Sequence, residues 1–357
     1  MSPETLRKAG VGIKLVADAD MLRANGESTV SYMSDGYVER QKMRDLTAQV
    51  NKMYRAEARD ELLRETIAEA VGNLVPLRPI TYAPYHGQPS GKELVLCIGD
   101  MHFGANINIE GLEGETINHY DSAVFEERME KLFDETVDII KKENIDVVNL
   151  FMVGDLIDGM LRQSQLVKLE YGLVDSTIRF ADFMSNWVLA LADHAFVKVA
   201  ACSGNHSEIR PLGSKKREFP NENMERIILW FMAERLRNYD WCTSVDETCK
   251  RFNKKNVLGY SFLLLHGDAE KDIPQFADET IRLYGKPIDF FVCGHKHREN
   301  EYPTGVTPQG TSIIIRVPSI CGADSYAQSK SFGGKPGAIA IVMEKGYGRR
   351  CVYPIQL

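Results

Sequence analysis

Short motifs that pair a glycine with metal-type donors constrain this chain more than any other feature. They are Gly99-Asp100-Met101-His102, Gly154-Asp155-Leu156-Ile157-Asp158, Gly204-Asn205-His206, His266-Gly267-Asp268 and Gly294-His295-Lys296-His297. Each follows an apolar run of strand length, so polar donors recur where strands would end. Of the 8 histidines, only His86, His119 and His194 fall outside the motifs. Taken alone, a residue such as His266, after the apolar run 262–265, is more often a strand-end side chain with one hydrogen bond than a ligand. The joint completeness of the set reverses that reading.

Apolar runs alternate with amphipathic stretches around these motifs. Strands are expected at 93–98, 146–153, 195–201, 260–265, 288–293, 312–317 and 338–343, and helices at 122–143, 166–193, 221–238 and 271–283. The fold class is therefore α/β, with the motifs on loops at the carboxyl edge of a sheet. Glycine there lets backbone approach a compact site without a Cβ in the way.

Residues 37–71 lack Pro and Gly and carry Met43, Leu46, Val50, Met53, Leu63 and Ile67, a pattern that predicts a long amphipathic helix with a narrow heptad-like stripe. Such a stripe serves either packing against the main domain or a homodimer. Four prolines between 76 and 90 suit an extended connector. The expected organisation is a helical N-terminal segment and connector over 1–90, followed by the main domain over 91–357.

The formal charge of −7 gives no global field for nucleic acid, so such a partner needs a local basic surface. Two segments offer one: Arg210 with Lys215, Lys216 and Arg217, and the cluster Lys250, Arg251, Lys254 and Lys255. There is no apolar run of about 18 residues and no basic-then-apolar leader, so neither a membrane span nor a signal peptide is expected. Seven cysteines without a CxxC pair argue for a reducing, cytoplasmic setting, with Cys97, Cys202 and Cys293 as small buried hydrophobes.

Carboxylate oxygen, amide oxygen and imidazole nitrogen form a mixed donor set suited to Mn, Fe or Zn, whereas a Ca site would be nearly all oxygen. In motif content and order, residues 93–343 resemble the calcineurin-like metallophosphoesterase superfamily. The stretches Gly-Asp-Met-His-Phe-Gly and Gly-Asp-Leu-Ile-Asp look most like Mre11- and SbcD-type nucleases and phage-encoded DNA repair exonuclease-like proteins.

The resemblance implies a two-sheet β-sandwich flanked by helices, and two divalent ions with Mn favoured. It places Asp100, His102 and His297 on one ion and Asn205, His266 and His295 on the other, with Asp155 bridging. Ions sharing a carboxylate sit about 3.5–4 Å apart and clamp a water-derived hydroxide, the expected nucleophile. His206 would protonate the departing alkoxide, with Asp158 orienting it and raising its pKa. The implied substrate is nucleic acid, DNA foremost. The alternatives are a small phosphodiester or phosphoprotein on the same site, and a non-catalytic scaffold, which should have lost ligands where none is missing here.

Two departures bear on the substrate. The third motif continues Ser207-Glu208, where many relatives carry an acidic residue directly after His. Only 60 residues follow His297, too few for the capping domain of Mre11-like nucleases. The N-terminal helix, the insertion after Asp158 or the loop 209–223 would have to take its place. In that loop Arg210, Lys215, Lys216, Arg217 and Phe219 are candidates to reach a phosphate or stack on a base. Asp121 and Asp268 are read as a helix cap and a strand-end turn.

Overall fold

The alternating pattern resolves, in a computed structural model, into two β-sheets packed face to face. The structure describes residues 74–77, 79, 90–159, 169–210, 215–219, 221–270, 273–324 and 334–357, with further helical positions between 40 and 69. Expectations for residues 1–39 and for most of the proline-rich connector lie outside these. The main domain opens at β1 (Lys92–Ile98), followed by a hairpin of β2 (Ile107–Glu110) and β3 (Thr116–Tyr120). The strands β4 (Val147–Met152), β5 (Phe196–Ala201) and β6 (Thr243–Val245) continue the first sheet. The second contains β7 (Phe252–Val257), β8 (Tyr260–Leu265), β9 (Phe290–Cys293), β10 (Asn300–Thr307) and β11 (Gly310–Arg316). The chain then returns to the first sheet through β12 (Gly337–Glu344) and β13 (Gly348–Gln356).

The first sheet runs β13-β12-β1-β4-β5-β6 and the second β10-β11-β9-β8-β7. Strands β1, β4, β5 and β6 are mutually parallel, as are β8, β9 and β11. Covered on both faces, the central strands β1, β4, β8 and β9 read as largely apolar runs. Val95, Cys97, Phe151 and Ala200 from one sheet meet Phe262, Leu264, Phe290 and Val292 from the other. Phe262 stacks on Phe290 with centroids 4.6 Å apart and meets Phe151 edge-on at 5.6 Å.

Four helices flank the sandwich: α1 (Ser122–Glu143), α2 (Leu173–Leu191), α3 (Met224–Leu236) and α4 (Ile273–Tyr284). Asp121 caps α1 by accepting from Val124 N, and Asn144 ends it in the left-handed region. Trp187 of α2 donates its indole N–H to Met129 O of α1. Ile273 and Ala277 of α4 cover the outer face of the second sheet at Leu263, Leu265 and Phe291. The helix expected from residue 166 starts only at Leu173, because Leu169 bridges Ala105 and Glu170 N donates to Gly104 O. The cluster Lys250 to Lys255 is not a free basic loop. It lies on or beside edge strand β7, where Lys255 pairs with Asp246 and Arg251 with Glu270.

Packing divides the chain between Leu63 and Arg64 into two units. Every described residue from 40 to 69 is helical. Within the N-terminal unit Met43, Leu46, Val50 and Tyr54 are exposed, Met43 by 63%. No helix among the described residues is long and apolar enough to cross a membrane.

Candidate metal centre and acid dyad

Because β1, β4 and β5 are parallel neighbours, their carboxyl ends place motifs one, two and three side by side, while β8 and β9 deliver motifs four and five. Cross-links knit the loops. Asp100 N donates to Gly154 O at 3.1 Å, His102 N to Asp155 O at 3.0 Å and His295 N to Asp100 Oδ2 at 2.7 Å. Glycine is obligatory where motifs two and three meet: a Cβ on Gly204 would lie 2.1 Å from Asp155 N, and one on Gly154 2.8 Å from Gly204 Cα.

Asp100, His102, Asp155, His295 and His297 all hold positive φ, between 45 and 68°. Non-glycine residues rarely adopt this strained region, and they persist in it where contacts over-determine them. That five of the seven predicted ligands share it marks the loops as shaped around their side chains.

Ligand atoms of Asp100, His102 and Asp155 lie within 4.8 Å of one another, and so do those of Asp155, His266 and His295. Asp155 belongs to both groups, as a bridging carboxylate would. His297 Nε2 stands 3.5 Å from Asp100 Oδ1, and His266 Nε2 2.9 Å from Asp155 Oδ2. Each of these imidazoles donates from Nδ1 to a carbonyl, His266 to Val153 O at 2.9 Å and His297 to Gly322 O at 3.0 Å, so Nε2 is left to ligate.

Asp100 Oδ1, His102 Nε2 and Asn205 Oδ1 are among the buried side-chain atoms without a hydrogen-bond partner among the described residues. Orphaned polar atoms of this kind are costly unless something else satisfies them, and these three lie together in the predicted donor set. Charge points the same way. Burial would lower His266, but Asp155 and Asp100 push it up to about 10, so the carboxylate pair draws a cation to this spot. Burial and the neighbouring His266 push His295 down to about 4, the neutral form a ligand needs. The residues present therefore fit divalent cations.

His206 stands beside this set. Its Nδ1 lies 2.5 Å from Asp158 Oδ1, its backbone N–H donates to Asp155 Oδ1 at 2.7 Å, and its ring meets that of His102 edge-on at 4.4 Å. Burial opposes the imidazolium, yet Asp155 and the Asp158 hydrogen bond outweigh it and raise the pKa of His206. Burial likewise opposes the Asp158 carboxylate, while the His102 imidazole beside it and the hydrogen bond from His206 hold it well below the ordinary range.

A model of the calcineurin-like phosphoesterase family matches residues 94–299. The chain belongs to this family. The family supports a metal-dependent phosphoesterase, which accords with the donor set. The phosphoesterase is also 30% identical over 319 residues to the SPbeta prophage-derived uncharacterized protein YonJ of Bacillus subtilis strain 168, covering 88% of this chain and 76% of that one. Among solved structures it is similar to an archaeal phosphodiesterase, with 10% identity and a TM-score of 0.37 over 74% of this chain and 99% of the other. Zinc-complexed Vps29 from Entamoeba histolytica matches with 13% identity and a TM-score of 0.33 over 74% and 98%. A 5'-nucleotidase precursor from Thermus thermophilus matches with 12% identity and a TM-score of 0.34 over 74% and 54%.

Sequence reasoning missed two carboxylates that organise the centre of the phosphoesterase. Glu225, in the first turn of α3, is fully buried and accepts from Gly204 N at 2.5 Å, Leu156 N at 3.0 Å and Ser207 Oγ at 3.0 Å. It ties motif two to motif three, and burial with the Asp155 charge pushes its carboxyl up to about 7. Asp268 is more than a strand-end turn, since both Lys216 and Arg217 pair with it. Arg210 is bound to Glu208 at 2.8 Å, whereas Lys215 is exposed. Cys321 was also missed: its Sγ lies 3.9 Å from His297 Nδ1 and joins His102 and His297 in one donor group. The only signal in the sequence for these residues is their type.

Proposed function

We propose that this phosphoesterase hydrolyses phosphodiester bonds in nucleic acid, DNA foremost, using two divalent ions of which Mn is favoured over Fe or Zn. The convergence of orphaned donor atoms beside the His206–Asp158 pair carries the reading. Asp100, His102 and His297 would hold one ion and Asn205, His266 and His295 the other, with Asp155 between them. When bound, such ions activate water for attack and neutralise charge on the non-bridging phosphate oxygens.

The protein's own groups handle the proton. Asp158 fixes Nδ1 of His206, which leaves Nε2 to carry the proton destined for the departing alkoxide. The raised pKa keeps that nitrogen loaded near neutrality. A nucleic-acid substrate is further supported by the motif wording and the cationic residues of the loop after His206.

The net charge of −7 favours a second reading, a small phosphodiester or phosphoprotein on the same site. Parallel assays of the Mn-loaded protein on labelled single- and double-stranded DNA, cyclic nucleotides and bis-p-nitrophenyl phosphate decide between them. Cleavage of DNA that drops about 10²- to 10⁴-fold in a folded His206→Ala variant is the expected outcome. Turnover of small esters with no cut in either form of DNA would move the assignment to the second reading.

A further inference from the structure

The loop leaving motif three folds back onto motif four. Glu208, two residues after His206, is buried, and it accepts both the Arg210 guanidinium at 2.8 Å and the backbone N–H of Arg217. Arg217 holds a left-handed φ of 62°, and its guanidinium pairs with Asp268, which Lys216 Nζ also reaches at 2.5 Å. A strained arginine persists there because contacts at both its ends fix it. Asp268 lies two residues after His266, so the loop closes along the side of the centre that holds Asn205 and His266.

The exposures are unequal. The Asp268 side chain is 2% exposed, whereas those of Lys216 and Arg217 are 42% and 32% exposed. Two part-exposed cations therefore share one buried carboxylate, so the trio carries a net positive charge beside motif four. An arginine held in this way is pre-organised for bidentate contact with a phosphate. On a chain of net charge −7, a polyanion needs such a local anchor.

We propose that Lys216 and Arg217, seated on Asp268, form a second phosphate site beside the metal centre that takes the phosphate adjoining the scissile one in an oligonucleotide. Arg210 is the brace of the loop and not a substrate contact. The inference rests on the nucleic-acid reading and adds that the substrate is recognised through more than one phosphate.

The test compares wild type with K216Q/R217Q, their melting curves measured first. Binding of a fluorescently labelled oligonucleotide is followed by anisotropy under chelation across a salt series, and kcat/KM is measured with Mn on the oligonucleotide and on bis-p-nitrophenyl phosphate, which has no second phosphate. The expected result is a salt slope smaller by about 1 to 2 in the variant. The oligonucleotide-to-small-diester ratio of kcat/KM should fall about tenfold or more. If the double variant melts early, K216Q carries the same comparison, since its site is the more exposed. Equal losses on both substrates, or an unchanged salt slope, overturn the second site and leave the nuclease reading standing. Wild type that hydrolyses the small diester but cuts no DNA overturns both.

Discussion

At the scale of the residue, His206 and Asp158 each hold a charge that burial alone would oppose. His206 has its folded pKa raised above the ordinary ~6.5, so its stabilising contribution is complete below that pH and is lost as pH rises through the folded value. Asp158 has its pKa depressed below the ordinary ~3.9, so its contribution is present above that pH and is lost as pH falls through the folded value. Asp158→Asn should therefore lower the His206 pKa, read by NMR titration of the imidazole. It should cost about 1–3 kcal/mol at pH 6, shrinking as the pH rises past the wild-type His206 pKa. An unmoved imidazole titration would count against the pair. Glu225→Ala strands the buried N–H groups of Gly204 and Leu156, and urea unfolding should show a loss of roughly 2–6 kcal/mol, at about 1–3 for each orphaned donor. The seven candidate ligands could be nominated from sequence because Asp, Asn and His in glycine-containing motifs at successive strand ends are a scarce coincidence. Glu225 and Asp268 could not, because a carboxylate in a first helical turn or after a strand has ordinary uses, and only tertiary contact distinguishes them.

At the scale of the element, burial decided what could be read. The central strands β1, β4, β8 and β9 carry largely apolar runs and were found within a few residues of their true bounds. The strands β6 and β13, β7 and β10 are the edges of the two sheets, and each was missed. Their residues mix exposed, part-buried and buried positions without a continuous apolar run, and β10 carries Pro303 and Gly305 at a bulge, which reads as loop in one dimension. Helix α1 was placed at its true limits because Asp121 caps it and an amphipathic repeat fills it. The two-sheet core makes its own prediction. Phe262→Ala should lower unfolding free energy by roughly 3–5 kcal/mol, since the ring is fully buried between Phe151 and Phe290. A loss below about 1 kcal/mol in denaturant titration would mean that the interface between the sheets is not packed as described.

At the scale of the molecule, the chain joins a catalytic sandwich to an N-terminal unit whose described helical residues expose Met43, Leu46 and Val50 on a stripe of narrow repeat. We propose that this stripe makes a homodimer. Light scattering should then give twice the chain mass for the full protein and a smaller mass when Met43, Leu46 and Val50 are changed to Gln. A monomer at both would remove that role.

The centre itself draws on five loops from two sheets, and its account depends on those loops holding ions in common. Calorimetric titration of metal-stripped protein with Mn, alongside elemental analysis of the loaded form, tests this most directly. Two equivalents per chain are predicted for wild type, falling to one or none in Asp155→Asn, whose carboxylate is shared by the donor groups. Fewer than one equivalent in wild type, or an Asp155→Asn variant that still binds two, would contradict the shared-ion centre.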